Sequence, residues 1–331
     1  MSTIANSPTV CLTIGDPTGI GPEIAAKILL QRSIAGGGSP NFIVLGDITN
    51  LEQTASSLNI PLPEADEGVR YLDVTHGKPV PPGWVAYSAL NEAVRLIYEK
   101  QATGLVTGPI SKANLREAGI SQAGHTEILQ DIAKQYYEQP YQADMLFLYR
   151  QFRMLLLTRH VPLADVGRVL AENPKTADNA LHAVIQFLSR HEDIQAPRIA
   201  MLGVNPHAGE IGGTEEQETL MPLFQRVTHE TSASVYGPLP ADAAFRGFQA
   251  DYPAYDVYVA PYHDQGLIPM KLVAGFEAVN LTLGLPFFRT SVSHGMATDI
   301  VGQGIATPVS LEAAIQTLTR LLQPAEAGLL I

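Results

Sequence analysis

Three histidines share a local pattern that could build a metal site. They lie in Thr158-Arg159-His160-Val161-Pro162, Asn205-Pro206-His207-Ala208-Gly209-Glu210 and Tyr262-His263-Asp264-Gln265-Gly266. Each follows an apolar run that reads as a buried strand, over 154–157, 199–204 and 257–260, and each runs into a glycine or proline turn. Imidazoles at the ends of neighbouring strands can converge although they are far apart in the chain. Three neutral nitrogen ligands that leave positions open make a Lewis acid. Such a trio leaves the charge of a dication unneutralised, which suits an alkoxide or carboxylate, and its softness favours zinc, cobalt or nickel over magnesium. Taken singly, each ring reads more readily as a satisfied loop residue than as a ligand; the repeated context joins them. Of the other six, His182 falls within a helix, His191 and His229 near helix ends and His76 in a polar loop, while His125 and His294 occupy motifs suited to hydrogen bonding.

Three further motifs carry polar chemistry. Gly15-Asp16-Pro17-Thr18-Gly19-Ile20-Gly21-Pro22-Glu23 joins a strand to a helix, either as a structural turn or as a loop that cradles a ligand. It lacks the third glycine of the dinucleotide fingerprint, since Ile24 stands there, and the chain has no phosphate-loop lysine motif. Gly124-His125-Thr126-Glu127 opens a helix to about Tyr137. Its free N–H groups favour an anion, with His125 and Thr126 as two side-chain donors; the plainer reading is a Thr126 cap and a solvated His125. Finally, Lys271 and the passage from Asn280 to Ser291 supply a point charge and, at Arg289, a bidentate fork for phosphate or carboxylate, unless both are surface cations.

The elements that must position these residues alternate. Strands at 10–14, 42–45 and 105–107 are separated by amphipathic helices, among them one carrying Leu90, Ala93, Val94 and Ile97 on one face with Ser88 as its cap. Residues 32–40 and 59–83 read as surface connections, with the proline-glycine run 79–83 a breaker. Runs at 146–149 and 154–157 around Arg150-Gln151-Phe152-Arg153 read as a hairpin. Helices open at Thr176 and Ser310. The expected fold is therefore α/β and two-lobed, with a mostly parallel sheet and some antiparallel pairing. The lobes are expected at 1–122 plus 280–331 and at 123–279, because 331 residues exceed what one core supports. A net charge of -12 argues against nucleic acid and anionic membranes, so an anionic substrate would need local cations. The single cysteine, Cys11, falls in an apolar run as an inert strand residue and points to a reducing compartment. With no leader pattern and no membrane-length apolar segment, a cytoplasmic protein is expected.

Taken together the motifs resemble the 4-hydroxythreonine-4-phosphate dehydrogenase family of pyridoxal 5'-phosphate biosynthesis. The resemblance rests on Gly15 to Glu23, Thr107-Gly108-Pro109-Ile110-Ser111-Lys112, Gly124 to Glu127, Asn205 to Glu210, Gly237-Pro238-Leu239-Pro240-Ala241-Asp242, Tyr262 to Gly266 and Asn280 to Ser291, in that order. It implies a fold like that of isocitrate and isopropylmalate dehydrogenases, which bind their cofactor without the usual glycine fingerprint. It implies His160, His207 and His263 as ligands of one divalent metal (zinc, cobalt or magnesium), and His125, Thr126, Lys271, Asn280 and Arg289 as substrate-binding residues. Lys271 is also the expected catalytic cation. The run from His294 to Ile300, followed by Gly302 to Ala306, resembles the loop that contacts NAD or NADP in the wider group, with His294, Gly295, Ala297 and Asp299 as its contacts. Members are homodimers with the active site at the subunit interface, so the ligands can come from two chains. The implied reaction is oxidation of 4-phosphooxy-threonine with decarboxylation to 3-amino-2-oxopropyl phosphate. A related dehydrogenase of a phosphorylated sugar acid or a cis-dihydrodiol dicarboxylate shares these features; a metal-dependent hydrolase or metal-binding module is the more distant alternative. One departure is a short loop between Gly209 and Thr214.

Overall fold

A computed structural model describes residues 7–35, 40–65, 68–122 and 124–323. The chain divides into two compact units, 1–143 with 285–331, and 144–284. The helix at 125–137 therefore belongs to the first unit and the strand at 279–283 to the second, a correction to the expected boundaries at 122 and 280. The reason is packing: Ile128, Leu129, Ile132 and Ala133 are buried in the same core as Leu90, Val94 and Leu105.

The first unit runs β1 (Thr9–Thr13), α1 (Gly21–Ala35), β2 (Asn41–Gly46), α2 (Ile48–Ser57), β3 (Val69–Asp73), α3 (Pro82–Tyr98), β4 (Gly104–Thr107), α4 (Lys112–Glu117) and α5 (His125–Tyr137). The second unit holds β5 (Asp144–Tyr149), β6 (Phe152–Leu156), α6 (Val166–Glu172), α7 (Pro174–His191), β7 (Arg198–Leu202), α8 (Met221–Glu230), β8 (Ser234–Leu239), α9 (Ala241–Ala244), β9 (Val257–Ala260), α10 (His263–Ala274) and β10 (Val279–Leu283). The chain then returns to the first unit as β11 (Phe288–Ser291) and α11 (Val309–Leu322).

In the first unit the strand order is β3-β2-β1-β4-β11, every pair parallel. The central strands are fully buried, as near-continuous apolar runs require under helices on both faces. Cys11 in β1 is among them: burial pushes its thiol up to about 12, so it is inert at neutral pH. In the second unit the order is β10-β5-β6-β9-β7-β8. There β10–β5 and β5–β6 are antiparallel and the remaining pairs parallel, and Arg150 with Gln151 forms the turn of the expected hairpin. Its core packs Phe152 and Tyr258 against Phe245 and Phe248 with ring centroids 4.5 to 6.1 Å apart.

Two local expectations fail for identifiable reasons. Ser88 is not a cap, because α3 begins six residues earlier at Pro82, a residue preorganised for a first helical turn. The stretch 59–83 is not all loop; β3 lies in it as an edge strand with only Val69 fully buried, so its sequence has no apolar run to read.

Candidate functional site

The second unit brings the histidine-bearing segments together through its sheet order. β6, β9 and β7 are adjacent parallel strands, so their carboxyl ends lie side by side, and His160, His263 and His207 follow those ends. Backbone pairing continues beyond β6 and β9: Leu157 N donates to Ala260 O at 2.9 Å and Thr158 N to Pro261 O at 3.1 Å. That register carries His160 and His263 to a ring-centroid separation of 6.3 Å. They line one cavity of about 390 Å³ together with Arg159, Leu163, Asp264 and Ile268. His263 is not in a loop, as its glycine-rich context suggests, but opens α10. Its Nδ1 lies 2.7 Å from Asp264 Oδ1. A carboxylate on Nδ1 orients the ring and leaves Nε2 as the metal-facing donor, the usual arrangement behind a ligating histidine.

Among the described residues no group of three or more His, Cys, Asp or Glu side chains could hold a metal ion. His160 and His263 are neighbours within a single chain. His207 and Ala208 both have left-handed backbones, φ 53°, and Gly209 follows at φ 87°. For non-glycine residues such conformations cost about a kilocalorie or more each and persist where their surroundings hold them. Here the holder is Glu216, which is buried and accepts from Asn205 N at 2.7 Å and from its side-chain amide at 2.9 Å. Gln265, two residues after His263, donates to Gly203 O at 2.7 Å and so ties the β7 exit to the start of α10. Sequence reading missed Glu216, whose only signal is a repeated-glutamate stretch that reads as surface.

Lys271 lies in the third turn of α10. With His263 at i and Leu267 at i+4, it falls on the same helical face at i+8, and the three border a second depression of about 440 Å³. Asn280 in β10 is buried, and its Oδ1 has no hydrogen-bond partner.

The first unit contains a different site. Arg289 in β11 is 1% exposed, and its Nε and one terminal nitrogen donate to Thr107 Oγ1 at 3.0 and 2.6 Å. Burial pulls its pKa down to about 9, so it is still a cation at neutral pH. β4 and β11 are register partners, Thr290 opposite Val106, which puts the Thr107 hydroxyl within reach of the preceding side chain. His125 starts α5, whose N-cap is Gly124 with no side-chain cap; Thr126 is buried in the first turn and caps nothing. The His125 ring hydrogen-bonds the Gly108 backbone, and its Nε2 is buried without a partner. Burial first, then the charge of Arg289, holds its pKa well below 6.5. Gly108 N is used by Thr13 O, so its carbonyl is what the ring meets. A neutral ring that donates there presents Nε2 as an acceptor. An uncapped helix end and a buried cation are each features that favour an anionic group.

The loop that follows β11 carries His294, Gly295, Ala297 and Asp299. His294 Nδ1 lies 2.9 Å from Gly295 O and its Nε2 is buried and unpartnered; Ala297 is left-handed at φ 43°, and Asp299 is exposed. The loop is held against the Gly15–Glu23 motif, where Ile20 N donates to Met296 O at 3.1 Å. Within that motif Asp16, fully buried, accepts from Thr18 and from Asn114 Nδ2 at 2.8 Å.

Residues 39–318 match the family described as pyridoxal phosphate biosynthetic protein PdxA. The chain is 38% identical over 338 residues to a 4-hydroxythreonine-4-phosphate dehydrogenase of Synechococcus sp. (strain JA-2-3B'a(2-13)), covering 95% of this chain and 97% of that one. The solved structure of 4-hydroxythreonine-4-phosphate dehydrogenase from Klebsiella pneumoniae superposes with a TM-score of 0.79 at 30% identity, covering 96% and 99% of the two chains. A terephthalate 1,2-cis-dihydrodiol dehydrogenase from Burkholderia xenovorans LB400 superposes less closely, with a TM-score of 0.61 at 28% identity over 95% and 98%.

Proposed function

Since the chain belongs to the family of the pyridoxal phosphate biosynthetic protein PdxA, we propose that it oxidises 4-hydroxythreonine 4-phosphate with NAD or NADP and decarboxylates the product to 3-amino-2-oxopropyl phosphate. The observation that carries this reading is the likeness along nearly the whole chain, at 38% identity to one such dehydrogenase. In the first unit Arg289, the start of α5 and Thr126 hold one of the substrate's two anionic groups. Arg289 is already desolvated, so an arriving anion meets a charge that water does not screen. In the second unit His160, His207 and His263 would hold a divalent cation such as zinc, cobalt or magnesium. His263 fits that role because Asp264 occupies its Nδ1 and leaves Nε2 to ligate. A bound cation would supply the lowering of the substrate hydroxyl pKa and a bound nicotinamide the hydride acceptor, with the 294–306 loop as the segment that would hold the nicotinamide.

Loss of the hydroxyl proton and the hydride places a ketone β to the carboxylate. Carbon dioxide then leaves, its bonding electrons pass into an enolate, and that carbon is protonated. The Lys271 ammonium supplies the positive charge beside the enolate, and the Asn280 Oδ1, buried and unpartnered, accepts from a substrate donor.

The protein works as a homodimer that draws its three imidazoles from two chains. In support, Leu163 and Ile268, which border the His160–His263 cavity, are 67% and 59% exposed, and Leu272 beside them is 81% exposed. Apolar side chains gathered at a polar site mark a surface meant to be covered. A related dehydrogenase acting on a cis-dihydrodiol dicarboxylate is the second reading, favoured by the Burkholderia xenovorans structure and disfavoured by its lower likeness.

The test is a substrate panel followed at the nicotinamide absorbance, on protein stripped by chelator and reloaded. Turnover of 4-hydroxythreonine 4-phosphate that disappears with the metal and returns with zinc, cobalt or magnesium is the expected result. Turnover of a dihydrodiol instead would select the second reading. No reduction of either cofactor with any hydroxy acid would leave only a hydrolase or a metal-binding module.

A further inference from the structure

We infer that Lys27, braced by Glu23, is a positioning residue for the 294–306 loop and through it sets affinity for the nicotinamide cofactor. The inference rests on the dehydrogenase reading above. Lys27 follows Glu23 by one turn of α1, and its Nζ donates to Glu23 Oε1 at 2.7 Å, to Gly304 O at 2.9 Å and to Ala306 O at 2.7 Å. Those contacts use all three ammonium protons. Glu23 is 2% exposed, and its Oε1 also accepts from Ala306 N at 2.8 Å. A lysine and glutamate four apart on a helix surface contribute little. Here the pair is turned inward and aimed at backbone groups of one distant loop.

The other end of that loop is fixed independently. Besides the bond from Ile20 to Met296, Gly19 packs closely on Met296: a Cβ there would stand 2.8 Å from Met296 Cε and 3.0 Å from its carbonyl oxygen, so a larger residue would require Met296 to shift. Between the two anchors Ala297 is left-handed at φ 43°, a conformation that costs a non-glycine residue energy and persists where its surroundings hold it, and the turns at Gly302 and Gly304 take φ of 76° and 73°. A segment clamped at both ends around such a backbone is ordered before its ligand arrives, and the ordering cost does not subtract from affinity. Lys27 itself is not proposed to touch the cofactor.

The experiment compares Lys27→Met, which keeps the chain length and removes the donors, with Glu23→Gln, which removes only the charge. Binding of NAD and NADP is measured by calorimetry, hydrogen exchange is followed in peptides covering 294–306, and the rise in Tm with inorganic phosphate reports on the Arg289 site. Lys27→Met should weaken cofactor binding on the order of ten-fold and speed exchange in the loop, with the phosphate response unchanged. Glu23→Gln should move both readouts in the same direction by less. Unchanged cofactor affinity in a folded Lys27→Met protein overturns the inference, as does loss of the phosphate response alongside, which would mark a global effect. If Lys27→Met does not fold, Glu23→Gln decides by the same readouts. Wild-type protein that binds neither nucleotide would sink the dehydrogenase reading first, and the inference with it.

Discussion

Arg289 keeps a full positive charge where almost no water reaches, and the fold spends two of its N–H groups on the Thr107 hydroxyl to orient it. Such a charge favours an anion over water. Inorganic phosphate should therefore raise the unfolding free energy of the wild type, by about 2.7 kcal/mol at a hundred-fold excess over Kd. Arg289→Met should abolish that gain, with thermal unfolding across a phosphate series as the check. His125 beside it makes a prediction about pH. Its folded pKa is depressed by burial and by Arg289, so below the ordinary histidine value the unfolded chain binds a proton that the native state refuses. Stability must fall as pH drops through about 6.5. His125→Gln should lessen that fall, seen in urea midpoints at pH 5 and pH 7.5; an identical acid slope in the variant would remove His125 from the linkage.

Elements, more than single residues, decided what could be read beforehand. The strands before His160, His207 and His263 were legible because buried parallel strands are unbroken apolar runs, and those strands are adjacent as β6-β9-β7. The start of α10 was not legible. Gly266 and Pro269 are loop residues by local preference, yet both lie inside the helix. Tertiary packing overrides that preference at Gly266, where a Cβ would stand 2.6 Å from Leu156 Cδ2 and 3.0 Å from Met154 Cγ. A side chain at this position would force α10 and β6 apart. Glu216 and Lys27 escaped notice for a related reason: a buried charge among exposed ones has no signature in one sequence. Gly266→Ala should cost roughly 1–3 kcal/mol through overpacking and should lower metal affinity along with Tm. Lys271→Met, five residues further along the same helix and on an exposed position, should leave Tm unchanged and abolish decarboxylating turnover.

At the scale of the whole molecule the net charge of -12 repels the doubly anionic substrate proposed here, so binding depends on a few placed cations and on a bound metal. One chain aligns two imidazoles and, among its described residues, completes no three-ligand group. If a second copy supplies what is missing, assembly and metal binding are one equilibrium, and disturbing either must disturb the other. Leu272 offers a clean way to test this. It is 81% exposed on α10 and borders the depression that holds His263, yet it is no ligand and contributes nothing to the core. Leu272→Glu should leave far-UV circular dichroism unchanged while shifting the sedimentation coefficient from dimer to monomer. Zinc bound after dialysis should fall from one per chain toward zero in the same variant, and raising protein concentration should restore both together. A monomeric variant that still retained one tightly held zinc per chain would separate the metal from the dimer, and the three imidazoles would then have to meet within a single chain by movement of the 205–213 segment.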